Sequence, residues 1–241
     1  MTTTSFDLYD LIPRLSSRTH AEQDASTWCL KEGPRRWLSV AVALVAIALT
    51  LPLMVLIGVV IKLTSPGPIL YRQPRVGLDR RSPRTPEGNH RRAIDYGGRP
   101  FTIYKFRTMR VAGDGSREVW ASPDDPRVTA WGRFLRNYRL DELPQLFNVL
   151  RGDMNIVGPR PEQPRIFNVL RGQIPRYQER QRVRPGITGW AQINHHYDSC
   201  VEDVKRKLTY DLDYIARQSF AHDLKIMVLT APTVVFKRGA W

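Results

Sequence analysis

The residues best suited to chemistry are Asp141 and Glu142, two adjacent carboxylates in Leu140-Asp141-Glu142-Leu143-Pro144. Proline is tolerated in the first turn of a helix but not in its interior, so Pro144 predicts a helix that starts near Leu140. In that first turn the positive end of the helix macrodipole favours ionised carboxylates. Acidic residues in a first turn are also routine structural devices, and the pair taken without its surroundings reads as structural rather than catalytic. Two downstream segments add a second chemistry. Gly158-Pro159-Arg160-Pro161 and Arg184-Pro185-Gly186-Ile187-Thr188-Gly189 join fixed turns to a guanidinium and exposed backbone N–H groups, a combination able to hold phosphate. Carboxylates beside phosphate-holding turns point to the handling of a phosphate-bearing group.

Metal and disulfide frameworks are not indicated. Cys29 and Cys200 form neither a C-x-x-C nor a metal-ligand spacing, and His195 and His196 read as ordinary polar residues after a turn-rich segment. The 241 residues carry a formal charge of +14, which calls for a polyanionic partner: nucleic acid, anionic lipid or a phosphate-bearing substrate.

The elements that must position these groups begin with one long apolar run. Trp37 to Ile61 contains 25 residues without a charge. At about 1.5 Å per residue it would reach across a hydrocarbon core of roughly 30 Å. Its length and the polar stretch before it exclude a signal peptide. Arg35 and Arg36 precede the run, and Lys62, Arg72 and Arg75 follow it. Positive charge marks the cytoplasmic side, so two basic flanks conflict with a simple span and suit a segment that enters and leaves on one side. Pro52, near the middle, kinks or breaks the helix. A kinked span and a re-entrant hairpin stay equally open on these grounds.

After the run, residues 62–111 hold twelve Lys or Arg against three Asp or Glu, attractive to anionic lipid. Ser82 to Gly98 lacks apolar periodicity and is expected to be a surface loop. Ile69-Leu70-Tyr71 is strand-like, and the alternation in Phe101 to Met109 predicts a strand with Lys105 and Arg107 on the face of Ile103. Trp131, Phe134, Leu135 and Tyr138 recur at helical spacing, with Arg133, Arg136 and Arg139 on the other face. Such a helix suits either the head-group layer or a core. Ser199-x-x-Glu202 forms a capping box before a helix through Ile215, and a second apolar helix covers Phe220 to Phe236.

Taken together, Ser65-Pro66-Gly67-Pro68, Arg72-Gln73-x-Arg75-Val76-Gly77, Ile103-Tyr104-Lys105-Phe106-Arg107-Thr108-Met109, Leu140 through Met154, Val157-Gly158-Pro159-Arg160-Pro161 and Arg184 through Gln192 resemble the bacterial sugar transferases, monotopic phosphoglycosyl transferases. The likeness runs from about Arg35 almost to the C-terminus. It implies a membrane-associated α+β fold, mainly helical. A proline-broken re-entrant helix would be joined by interfacial amphipathic helices and a small β element. The expected division is a polar segment over 1–34, a re-entrant helix over 35–64 and a catalytic domain over 65–241. Pro52 would mark the break. Family members often have Ser-Pro there, whereas this chain has Leu51-Pro52 with Thr50 one residue earlier.

The resemblance also implies an activity: transfer of a sugar-1-phosphate from a UDP-sugar to polyprenyl phosphate, with release of UMP. It makes Asp141 the nucleophile and Mg2+ ligand, with Glu142 assisting. Lys105, Arg136 and Arg160 would bind phosphate or nucleotide, with Arg184 and Gln192 in the same pocket. The implied setting is the cytoplasmic face of the bacterial inner membrane, with anionic lipid around the enzyme and no nucleic acid partner; a homodimer is compatible with it. The competing class is a membrane-anchored nucleic-acid-binding or adaptor protein, for which the chain carries charge but no recognition motif.

Overall fold

The computed structural model describes residues 25–79, 97–110, 125–195 and 201–235. The expected loop over 82–98 falls almost wholly outside these residues, and Ser199, His196 and Cys200 fall outside them altogether. The described chain is mainly helical with two small sheets.

The first helix, α1, spans Ala25–Thr64, 40 residues, about 60 Å if straight. It starts ahead of the boundary expected at residue 35 and runs on through Pro34 and Pro52. The break expected at Pro52 is thus a donor lost within a continuous helix rather than an end to it. One missing N–H removes one ladder bond and leaves those on either side. Near this gap Thr50 Oγ1 donates to the Ala46 carbonyl at 2.6 Å.

Burial along α1 forms a stripe: Arg35, Ser39, Ala43, Met54, Ile57 and Ile61. The eleven-residue step from Ala43 to Met54 is about three turns, so all six share one face. The other faces expose Leu44, Val45, Leu49 (77%), Val55, Leu56, Val59 and Leu63 (81%). Only 22% of the most apolar stretch is buried, which a core helix of a water-surrounded domain would not tolerate.

Strands β1 (Leu70–Val76) and β2 (Pro100–Phe106) pair antiparallel, Leu70 opposite Phe106 and Val76 opposite Pro100. Helix α2 (Ala130–Asn137) follows, capped by Thr129, whose side chain accepts from Gly132 N–H at 2.9 Å. A 3-10 turn, Leu140–Glu142, leads into α3 (Gln145–Arg151). Strands β3 (Asn155–Val157) and β4 (Gly186–Thr188) pair parallel. The sequence predicts a turn over β4 and no element over β3; at three residues each, they are too short to show an alternating pattern. Helix α4 (Pro164–Gln173) and a 3-10 segment (Tyr177–Arg182) connect them. Short α5 (Trp190–Asn194), α6 (Val201–Arg217) and α7 (Phe220–Val235) complete the order.

Both halves of α1 are held to this domain. In the first half, the Arg35 guanidinium meets Asp223 at 2.8 Å and donates to Gln218 and Tyr214, all buried. Arg36 donates to the carbonyls of Val149 and Leu150 at the C-terminal end of α3, where a cation complements the helix dipole. In the second half, Met54, Ile57 and Ile61 pack with Phe106 and Leu135. Arg107 then fastens the end of α1, donating to Pro66 O at 2.5 Å and Ser65 O at 2.7 Å.

Helix α2 approaches the end of β2 so closely that only glycine fits at 132. A Cβ there would lie 1.9 Å from the Thr108 carbonyl oxygen. Gly132→Ala is therefore expected to lower stability by about 1–3 kcal/mol through overpacking against backbone. It should also reduce function by displacing Arg136, with thermal unfolding in detergent as the measurement; an unchanged midpoint would contradict the packing described.

Candidate active site

The turn that carries Asp141 and Glu142 is entered through Arg139, whose backbone is left-handed (φ 55°, ψ 20°). Such a conformation is uncommon and mildly unfavourable for a side-chain-bearing residue. It ends α2 and turns the chain back, so that the carboxylates precede α3 in a separate 3-10 turn. The helix expected near Leu140 therefore begins at Gln145, with Pro144 as its N-cap. Leu143 and Pro144 stand between the dyad and α3, so the dyad owes less to a helix macrodipole than the sequence suggested.

Desolvation sets the electrostatics instead. Both carboxylates are buried, each residue 7% exposed. Glu142 Oε1 accepts from Lys105 Nζ at 2.7 Å and from Arg160 Nη2 at 2.6 Å. Burial pushes its pKa up, but Arg160 and Lys105 outweigh burial and hold Glu142 well below the usual glutamate range. Asp141 is treated differently. Its nearest cation is Lys105, 3.9 Å away and already bonded to Glu142. Burial therefore raises the Asp141 pKa, opposed by Lys105, aided by the negative Glu142, and opposed again by Arg136 and Arg160. One carboxylate is neutralised; its neighbour is dry, basic and only loosely paired.

The surrounding elements explain why these cations converge. Lys105 lies on the β2 face shared with Ile103, as its alternation required, whereas Arg107 lies beyond the strand and serves α1. Arg136 sits in the last turn of α2, its Nε donating to Thr108 Oγ1 at 3.0 Å. Arg160 follows β3 and Gln192 follows β4, so the ends of two parallel strands bring them to one place, Arg160 Nη1 to Gln192 Oε1 at 3.2 Å. That is the edge of a parallel sheet where ligands commonly bind. Gly189 permits the approach: a Cβ there would lie 2.2 Å from the Gly158 carbonyl oxygen.

Arg184 is not brought to this cluster. It donates to the Gly152 carbonyl at 3.2 Å and pairs with Glu32. The reason is its place before β4: Arg184 lies at the opposite end of that strand from Gln192, and its side chain leaves toward the first half of α1.

Sequence reading missed the supports behind Arg160. Fully buried Arg180 bonds Asp211 at 2.7 Å, Tyr177 at 2.6 Å and the Arg160 carbonyl at 3.0 Å. Arg75 donates to the Pro161 carbonyl at 2.9 Å. Glu162 lies among them. Burial opposes its ionisation, yet Lys207, Arg180 and Arg75 hold its pKa down to about 2. The position of Glu162 directly after Gly-Pro-Arg-Pro was the one available signal.

Among the described residues no group of three His, Cys, Asp or Glu could form a metal cage. The donor set still fits a magnesium ion shared with a substrate, since such ions take one or two carboxylates and fill the rest with phosphate oxygens and water. Asp141 offers that single loosely paired carboxylate; Glu142 is already occupied by two cations.

Comparison with known proteins shows the family to which the chain belongs. Residues 30–237 match the family described as bacterial sugar transferase. A UDP-glucose:undecaprenyl-phosphate glucose-1-phosphate transferase of Xanthomonas campestris pv. campestris is 43% identical over 202 residues, 83% of this chain and 38% of the relative. A UDP-N-acetylgalactosamine-undecaprenyl-phosphate N-acetylgalactosaminephosphotransferase of Aeromonas hydrophila is 40% identical over 206 residues, 86% of this chain and 44% of the relative. A UDP-glucose:undecaprenyl-phosphate glucose-1-phosphate transferase of Caulobacter vibrioides is 41% identical over 209 residues, 86% of this chain and 72% of the relative. The chain thus spans less than half the length of the first two.

The two carboxylates should respond oppositely to neutralisation. Ionised Glu142 stabilises the fold above the unfolded glutamate pKa of about 4.3, and the effect is lost as pH falls through its lower folded value. Glu142→Gln strands Lys105 and Arg160 and should cost about 2–4 kcal/mol at neutral pH. Asp141, with its pKa raised, costs stability once ionised. Asp141→Asn should leave the unfolding midpoint unchanged or higher. Equal losses in both variants would contradict the asymmetry.

Proposed function

This chain belongs to the bacterial sugar transferase family, and from that premise we propose that it transfers a sugar-1-phosphate from a UDP-sugar to a polyprenyl phosphate. The single observation that carries the reading is the unequal treatment of the dyad. Glu142 acts as the counter-ion that gathers Lys105 and Arg160. Asp141 is left dehydrated and basic beside them. A carboxylate with these properties is a competent nucleophile once ionised, and the same cations that lower its cost of ionisation bind the oxygens of the phosphorus it attacks.

In the first step an Asp141 carboxylate oxygen bonds to the sugar-bearing phosphorus, the bond from that phosphorus to the UMP oxygen breaks, and UMP departs. In the second, an oxygen of the lipid phosphate bonds to the same phosphorus and the Asp141–phosphorus bond breaks. The product is a polyprenyl diphosphate sugar. Arg160, a third of whose side chain stays open, is placed to hold the nucleotide diphosphate with Gln192. Arg136, anchored on Thr108, holds a phosphate oxygen with a planar fork. A Mg2+ ion on Asp141 and the diphosphate would neutralise charge on the donor. Arg184 has no part in this scheme; its bonds to Gly152 and Glu32 serve the fold.

The membrane arrangement that supports this chemistry is re-entrant, with the continuous α1 bending in the bilayer at Pro52, where its ladder lacks a donor. A spanning helix needs about 20 residues clear of the aqueous domain. In α1 the domain-facing stripe extends from Arg35 to Ile61. The short helix α3 is touched by Arg36 from one half and shares a surface groove with Leu51 to Leu63 from the other. Both halves therefore meet one domain, with exposed Leu49 and Leu51 beside Pro52 at the deepest point. The outward aromatic face of α2 (Trp131, Phe134 and Tyr138) and the outward Leu224 and Val228 of α7 extend the apolar surface. The bacterial inner membrane, with the domain on its cytoplasmic face, is the setting in which a nucleotide sugar and a lipid phosphate meet.

Purified protein with Mg2+, polyprenyl phosphate and a panel of UDP-sugars should release UMP with at least one donor, and Asp141→Asn should lower the rate by at least 10³-fold. Retained turnover in Asp141→Asn would overturn the assignment. Cysteines placed at Glu32 and at Lys62 should both react from the cytoplasmic side; opposite sidedness would restore a simple span.

A further inference from the structure

The second half of α1 does not close completely onto the domain. Between it and the β1–β2 hairpin lies an open groove of about 870 Å3, in the ~300–1,000 Å3 range usual for small-molecule sites. Its walls are Leu51, Val55 and Gly58 of α1, Phe106 of β2, and Pro144 and Phe147 at the start of α3. The strand register places Leu70, Arg72, Tyr104 and Phe106 on the groove face of the hairpin, opposite Ile103 and Lys105.

The interior is apolar, but cations stand at the rim. Lys62, Arg72 and Arg151 all line it. The guanidinium groups of Arg72 and Arg151 lie 5.8 and 5.7 Å from the centroid of the Tyr104 ring. Arg151 also donates to the Tyr104 hydroxyl at 2.8 Å and reaches Asp153 at 3.6 Å. Among the described residues, neither Lys62 nor Arg72 has a carboxylate partner. Two arginines on one tyrosine, with an unmatched lysine nearby, form a positive rim that an anion would relieve.

An apolar trough with a cationic rim, opening along a helix whose outer faces are themselves apolar, fits a single long hydrocarbon chain ending in a phosphate. A nucleotide sugar, polar throughout, does not match such walls. We propose that this groove is the acceptor subsite: it takes the first isoprene units of the polyprenyl phosphate, and Lys62, Arg72 and Arg151 draw in its phosphate end. The proposal rests on the transfer reaction above and assigns the surface that serves its second step. The groove and the dyad share one turn. Pro144 in the groove wall is three residues from Asp141, so their Cα atoms lie at most about 11 Å apart.

Gly58 allows a direct test. A Cβ on it would meet only the Ile69 side chain, at 3.5 Å, and leucine suits a helix better than glycine, so Gly58→Leu fills the groove without breaking α1. Reconstituted in nanodiscs, this variant should raise the KM for undecaprenyl phosphate about tenfold and that for geranyl phosphate, whose two isoprene units are among those the groove holds, by a similar factor, while the KM for the UDP-sugar stays unchanged. Single-turnover UMP release from the donor without acceptor should persist. Arg72→Gln should raise the acceptor KM about tenfold for both chain lengths. An unchanged acceptor KM in both variants overturns the proposal, as does a rise in the UDP-sugar KM equal to the rise in the acceptor KM in Gly58→Leu. If Arg72→Gln instead weakens binding to phosphatidylglycerol vesicles while the acceptor KM stays constant, the rim holds bilayer lipid and the proposal falls. Absence of UMP release by the unaltered protein with every donor is a different result, removing the transfer reading and the subsite together.

Discussion

Two carboxylates on adjacent residues in a nearly dry turn cannot both remain anions without compensation, and the elements around them are organised by that constraint. Lys105 and Arg160, from a strand and from a loop distant in sequence, meet on Glu142. Their charge is committed there and reaches Asp141 only as a weaker field. This is an expensive arrangement for stability, since desolvated ions cost more than their pairing returns unless every lone pair is met. The strain falls on Asp141, where a raised pKa and a loosely held oxygen suit a reacting group. Arg160 is steadied in turn by Arg180 and Arg75, which donate to the consecutive carbonyls of Arg160 and Pro161, so its guanidinium rests on a second set of buried ions.

The long apolar helix α1 belongs to the same construction. Arg35 is tied to α7, Arg36 caps α3, and the second half of α1 packs on the hairpin that carries Lys105. The placement of α1 and the geometry of the dyad are thereby linked through α3, the helix that follows the dyad. A chain whose anchor merely tethered it would not need polar contacts from the anchor into the domain core. The exposed apolar residues on α1, α2 and α7 lie outside these contacts, available to lipid.

Much of this was legible in the sequence where the signal is local. The apolar run, the strand carrying Lys105, the aromatic helix carrying Arg136 and the turn carrying Arg160 all sit in segments with their own periodicity or turn chemistry. What escaped depends on long-range partners. Strands β3 and β4 are three residues each and pair only with one another, so no alternation betrays them. The start of α3 was misplaced because Pro144 is compatible with several first-turn positions, and the left-handed Arg139 that separates dyad from helix has no sequence mark. Arg184 looked like Arg160, in a similar Pro/Gly turn, but its partners are Glu32 and Gly152, residues brought near by the fold alone. Arg180 and Asp211 carry no mark in the sequence that they pair, and both are fully buried.

The central claim is that Asp141 becomes covalently loaded, and intact-protein mass spectrometry after incubation with a productive UDP-sugar and Mg2+, without lipid acceptor, tests it most directly. The account predicts a mass increase of one phosphosugar, mapped to the peptide containing Asp141 and discharged by added polyprenyl phosphate. An unmodified protein that releases UMP only when both substrates are present would contradict it.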